Sequence, residues 1–257
     1  MNIQQFYRKT ASISLSVSLA ALIPSFFLII YGIMLAGDGR YVLVVLPFLI
    51  YSFFCYQHYL VCDRRSKSFT ENQQENKNMN HTLTKADDIL LHFLPAPSLR
   101  LLFFSNEGHL LGELRERKIL SFKWFLPRFL DKLFERKYGL YDGSNNLIAN
   151  FTLYKRQIAI MDKDRNLINI IEELDERRMK SIFESNGEEI VVSRTLLYMD
   201  YQFFHHQKMI SRLQKGLMPF EWENKIKDPN TPVLSFEKSL SDEQKINIFA
   251  ILAKILY

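Results

Sequence analysis

The chain has 257 residues, a formal net charge of +5 and a mean hydropathy of −0.10, averages that a water-soluble domain also shows. Two cysteines exclude a disulfide scaffold, and nine glycines leave little material for phosphate-cradling loops. No GxGxxG, Walker, HExxH or GxSxG pattern occurs, so a non-enzymatic protein without a cofactor or metal is expected.

The averages conceal a division. Residues 11–36 and 41–62 carry no charged side chain, His58 being taken as neutral. A bilayer core of roughly 30 Å needs about 20 helical residues, so each run is long enough to span it. The first is too long for a signal-peptide core, and the second follows at once. The connector Gly37-Asp38-Gly39-Arg40 makes the two helices antiparallel neighbours. Ser14, Ser18, Ala21 and Ser25 fall near one face of the first helix, where small residues let two backbones approach. Pro24 and Pro47 are tolerable in such helices. Arg8 and Lys9 precede the hairpin and Arg64, Arg65 and Lys67 follow it, against Arg40 beside Asp38 in the connector. The positive-inside rule therefore predicts a multi-pass cell-membrane protein with both termini, including residues 1–10, in the cytoplasm. Cys55 and Cys62 lie too far apart on one helix to bridge. They read as apolar filler or, for Cys62 at the membrane edge, as a site of acylation.

Residues 63–88 are almost wholly polar and read as a linker. From residue 89 short apolar runs alternate with Asp/Asn/Gly turns. Leu101–Phe104 and Leu110–Leu114 flank Ser-Asn-Glu-Gly; Tyr138–Tyr141 and Leu147–Tyr154 flank Asp142-Gly143-Ser144-Asn145-Asn146; Ile158–Met161 and Leu167–Ile171 flank Asp162–Asn166. Met179–Phe183, Ile190–Val192, Leu196–Phe204 and Lys208–Leu213 continue the series. Such spacing predicts an antiparallel sheet or barrel over 89–257. Ser241-Asp242-Glu243-Gln244 is a capping box opening a helix over 241–257. That helix is apolar on every face yet short for a membrane span, which places it inside the sheet domain.

A many-stranded antiparallel barrel around a hydrophobic C-terminal helix resembles the superfamily of tubby C-terminal domains, LURP-one-related proteins and phospholipid scramblases. Tyr138-Gly139-Leu140-Tyr141-Asp142-Gly143 with Leu147-Ile148-Ala149, and Ile160-Met161-Asp162-Lys163 with Asn166-Leu167-Ile168, are similar to that group's turn-flanked strand pairs. The resemblance covers residues 95–257 and implies lipid or protein binding rather than catalysis. The N-terminal hairpin departs from the group's usual anchoring. No binding position is carried over.

Residues 115–137 hold the densest positive charge: Arg115, Arg117, Lys118, Lys123, Arg128, Lys132, Arg136 and Lys137 against Glu116, Asp131 and Glu135. Phe122, Phe125, Leu126, Phe129, Leu130, Leu133 and Phe134 recur at helical spacing, with Trp124 and Pro127 interrupting. A basic amphipathic helix with aromatics suits an anionic membrane surface. The alternative is that its apolar face packs on the barrel while the cations face solvent. Lys118, Lys123, Trp124, Arg128, Lys132, Arg136 and Lys137 are the expected lipid contacts. Nucleic acid is not an expected partner, because the domain is nearly balanced in charge and lacks a recognition motif. His205 and His206, adjacent in a strand, should point to opposite faces and not share a metal. The expected function is binding of anionic lipid headgroups at the inner leaflet. A membrane-anchored protein-interaction module of regulatory or immunity type is the second reading, and lipid scrambling a distant third.

Overall fold

The computed structural model describes residues 2–36, 41–68, 82–94, 98–117, 136–177, 179–195, 199–215 and 231–256. The chain divides into two compact units, residues 1–77 and 78–257.

The first unit is a helical hairpin. Helix α1 (Ile3–Tyr31) starts with a capping box, Asn2 accepting from Gln5 N while the Gln5 side chain accepts from Asn2 N, and continues as a π-helical turn over Gly32–Ala36. Helix α2 spans Tyr41–Ser68. Both are long and apolar enough to cross a membrane. The contacts Gln4 with Ser66, Ser14 with His58 and Ser18 with Ser52 establish the antiparallel arrangement. Ser18, Ala21 and Ser25 are buried, as the small-residue face requires. Ser18 and Ser52 bond reciprocally: each hydroxyl lies 3.0 Å from the other's carbonyl oxygen, and the two hydroxyls are 3.0 Å apart. Bulky side chains such as Phe27, Met34 and Leu43 point outward. Helix α2 runs on through residues 63–68, which the composition had assigned to the linker, with Lys67 reaching back to Asp63 at i,i+4.

The second unit is a closed barrel of twelve antiparallel strands in chain order, with β1 completing the ring between β2 and β12. The strands are β1 (Asp88–Phe93), β2 (Arg100–Phe104), β3 (Leu110–Glu116), β4 (Arg136–Asp142), β5 (Leu147–Leu153), β6 (Gln157–Met161), β7 (Leu167–Arg177), β8 (Lys180–Ser185), β9 (Glu188–Arg194), β10 (Asp200–His205), β11 (Lys208–Gln214) and β12 (Val233–Phe236). Period-2 alternation sends Phe103, Leu114, Leu140, Phe151, Ile160, Phe183, Val192, Phe203 and Leu234 inward. Closure removes the exposed strand edges an open sheet would leave.

Helix α3 (Asp242–Ile255) fills the barrel. Its capping box forms as the sequence indicates, with Ser241 as N-cap and Gln244 at N3. Ile248 to Ala253 are fully buried, and Phe249 lies 5.0 Å from the Phe103 ring and 5.6 Å from that of Phe236. A helix apolar all round is therefore explained by a wall on every side. Polar groups fix its depth. At the first end Lys245 Nζ donates to the Ala86 carbonyl at 3.0 Å, and at the last Lys254 Nζ meets Glu173 at 2.7 Å. Between them Asn247, Asn169 and Ser185 form a buried cluster. Leu83, in a 3-10 turn before β1, joins the core although it falls in the predicted linker.

Candidate functional site

The strand order gives the barrel two unlike ends. At one end tight turns join β2–β3, β4–β5, β6–β7, β8–β9 and β10–β11. Asn145, Arg165, Asn186, His206 and Gln207 there adopt positive φ, as does Gly187. Asp142 organises its turn by accepting from the backbone N–H groups of Ser144 and Asn146. At the other end lie the long connections β3–β4 and β11–β12 together with the short β5–β6 and β7–β8 links, and α3 finishes there.

Charge follows this division. The tight-turn end carries Asp87, Asp88, Glu107, Asp142, Asp162, Asp164, Glu188, Glu189, Glu237, Asp242 and Glu243, against Lys85, Lys163, Arg165, Lys208, Lys238 and the buried Lys245. The opposite end carries Arg100, Arg117, Arg136, Lys137, Lys155, Arg156, Arg177, Lys180, Arg194, Arg212, Lys215 and Lys254, while Arg115 of the same β3 segment leans along the wall to Asn145. Most acids at that end are held by ion pairs: Glu113 by Arg100 (2.6 Å), Asp175 by Arg177 (2.7 Å), Glu173 by Lys254 and Asp200 by Arg212 (2.8 Å). Hydrogen bonds from Arg212 to Asp200 keep that guanidinium above its ordinary pKa, with burial opposing them. Glu116 and Glu176 complete the described acids there. At the acidic end the hydrogen bond from Lys208 holds the Glu237 carboxyl below its ordinary pKa.

Of the concavities on the basic end, one of about 270 Å³ sets Lys155 and Arg156 against Glu173, Asp175 and Glu176, and two others are richer in cations. One, of about 480 Å³, sits at the barrel mouth beside the end of α3. Lys155, Arg177, Lys180, Arg194 and Lys254 surround it, Glu173 and Glu176 are the acids, and Phe183, Val192 and Tyr201 form the apolar part. Arg194 lies over the Tyr201 ring, 5.5 Å from its centroid. The other, of about 410 Å³, is a groove lined by Ser98, Arg100, Arg115, Glu116, Arg117 and Tyr141. There Arg115 stacks on Tyr141 and bonds Asn145, while Arg117 bonds Asn150 at 2.7 Å. Fixed guanidinium groups stacked on aromatic rings are suited to anions, Arg presenting a planar fork to carboxylate or phosphate.

The expected lipid contacts fare unequally. Lys118, Lys123, Trp124, Arg128 and Lys132 lie outside the described residues. Arg115, Arg136 and Lys137 stand in strands β3 and β4, so the ends of the basic stretch are sheet rather than helix. Arg136 is buried, because the alternation that turns Tyr138 inward turns it inward too; Lys137 is exposed. The sequence missed Lys155, Arg156, Lys180 and Arg194, which are scattered along the chain and gathered only by the barrel. The expectation that His205 and His206 point to opposite faces is corrected: their rings lie 4.2 Å apart, because His206 has left the strand for a left-handed turn. His205 Nε2 stands 3.3 Å from Glu188. Among the described residues no group of three or more His, Cys, Asp or Glu side chains is placed to hold a metal.

No protein-family model matches the chain, and no curated protein matches its sequence. Among solved structures the chain is similar to a protein of Arabidopsis thaliana, with 13% identity over 66% of this chain and 91% of that one, at a TM-score of 0.33.

Proposed function

We propose that this is a non-enzymatic, membrane-anchored protein whose tubby-like barrel engages anionic lipid headgroups at the inner leaflet through its basic end. In this reading the two apolar helices anchor the chain in the cell membrane, and the excess of cations flanking the hairpin supports an orientation with both termini in the cytoplasm. The observation that carries this reading is the segregation of charge along the barrel. Exposed Lys137, Lys155, Arg156, Lys180, Arg194 and Lys215 share one end, while the opposite end is acidic. Each cation near an anionic surface contributes ~1 kcal/mol. A tether raises the effective concentration of that surface, so weak contacts suffice.

The test uses the full chain in phosphatidylcholine nanodiscs, presented to vesicles with and without phosphatidylserine. Attachment should require phosphatidylserine, weaken with salt and fall in the Lys137→Glu/Arg156→Glu/Lys180→Glu variant. Equal attachment to neutral vesicles, or none to anionic ones, refutes the reading.

A further inference from the structure

The wall around β7 is unlike the rest of the barrel exterior. Ile168, Ile170 and Leu174 are 42%, 41% and 52% exposed. Beyond Glu172 the apolar surface resumes at Leu174, in the bulge beside the Asp175–Ile182 pair, and crosses the neighbouring strands through half-buried side chains: Ile182 pairs with Val191, Val191 with Phe204 and Phe204 with the exposed Met209. These lie outside because their strand neighbours Phe183, Ile190, Phe203 and Ile210 fill the inside.

A row of like charge crosses the same face. Glu172 stands opposite Glu184, and Glu184 opposite Glu189, on three successive strands. Like charges directly opposed destabilise a sheet. Glu172 accepts from the Gln157 amide at 2.8 Å, and among the described residues no cation is paired with Glu184 or Glu189.

We propose that this face docks a basic amphipathic segment of a partner protein, its apolar side chains on Ile170, Ile182, Val191 and Phe204 and its Lys or Arg on the three glutamates. Exposed apolar surface rimmed by polar groups marks interaction sites, and here the glutamate row, with apolar side chains on both sides of it, selects the partner's sign. A second copy docked through the same face would bring its own glutamate row against this one. An anionic membrane would be repelled by it. The inference is therefore independent of the lipid reading, which uses other residues of the opposite sign.

The full chain in phosphatidylcholine nanodiscs is titrated with a fluorescent amphipathic helix of leucine and lysine, with the leucine–glutamate counterpart and empty nanodiscs as controls. The lysine peptide should bind saturably and lose affinity with salt. Glu184→Gln/Glu189→Gln and, separately, Ile170→Ser/Val191→Ser should each weaken it about tenfold. Glu184→Gln alone should raise the melting temperature, since it relieves the repulsion without unfolding anything. Unchanged affinity in both double variants, equal binding of the glutamate peptide, or self-association of the intact chain that Val191→Ser abolishes would overturn the proposal. None of these variants should alter attachment to phosphatidylserine vesicles, so failure here is distinguishable from failure of the lipid reading.

Discussion

The guanidinium of Arg115 lies 4.2 Å from the centroid of the Tyr141 ring, and that ring occupies the space beside Gly139 where a side chain would stand. A Cβ at Gly139 would meet Tyr141 Cε2 at 2.6 Å, but the ring is the far end of a mobile side chain. Gly139→Ala should therefore displace the ring and forfeit the stack, worth ~0.5–1 kcal/mol at an exposed site. In a Tyr141→Leu background it should cost much less. A thermal-denaturation cycle over the two positions reads the coupling; additive effects would contradict the geometry.

Gly112 differs in kind. A Cβ there would meet the Tyr141 carbonyl oxygen at 2.4 Å and Leu83 at 3.0 Å. Backbone cannot swing aside, so Gly112→Ala should destabilise the barrel by ~1–3 kcal/mol through overpacking. Reducing Leu83 to Ala in the same chain should not rescue it, because the carbonyl contact remains. Chemical denaturation of the three variants decides this.

Inside the hairpin, the reciprocal Ser18–Ser52 bonds should contribute modestly. Interhelical hydrogen bonds in membranes average ~0.6 kcal/mol and reach ~1.7. Ser18→Ala and Ser52→Ala should each loosen the hairpin by that order, and the double variant by less than the sum. Unfolding from bicelles with increasing dodecyl sulfate measures it.

Lys254 and Glu173 join the end of α3 to the wall, with 15% and 9% of their side chains exposed. Removing one partner of a buried pair costs about 3–5 kcal/mol, and an apolar replacement of both costs far less. Glu173→Ala should fall toward the lower figure, since the Lys155 carbonyl still accepts from Lys254 at 3.2 Å. Glu173→Leu/Lys254→Met should retain more stability than Glu173→Ala. Melting temperatures of the intact chain test the order.

Glu237 supplies a pH signature. The hydrogen bond from Lys208 is the largest influence lowering its pKa, against the effect of burial. A carboxyl whose folded pKa is depressed adds stability that is present above its unfolded pKa and lost as pH falls through the folded one. Glu237→Gln should lower the melting temperature at pH 7, and the gap to the wild type should close in acid below the ordinary carboxylate range. A gap that persists unchanged at the lowest pH would assign the effect to packing instead.

Much of the fold is legible locally. Asp142–Asn146, Asp162–Asn166 and Ser105–Gly108 announce their turns, and Ser241 with Gln244 announces α3. Strands β1 and β12 are less visible, because what defines them is ring closure: Asp88 opposite Ser235 and Leu90 opposite Val233. Pairing over that separation leaves no trace in local spacing. The basic end is hidden for the same reason, since Lys155, Lys180 and Arg194 are scattered charges at strand ends or in loops until the barrel gathers them. The charge density at 115–137 marks one connection of that end. The ends of that stretch proved to be strand because Arg115 and Lys137 continue the alternation of β3 and β4.

In this barrel the filling follows the wall along the chain. All twelve strands precede α3, so their inward faces have no apolar partner until Ile248 to Ala253 have been made. During synthesis the sheet should therefore be unable to dry its interior before α3 is made, whereas the hairpin precedes it in the chain. The nascent protein should thus pass through a stage in which an unfinished, apolar sheet follows a finished helical hairpin. Demand for chaperones should be greatest at that stage, and the arrival of a single helix should end it.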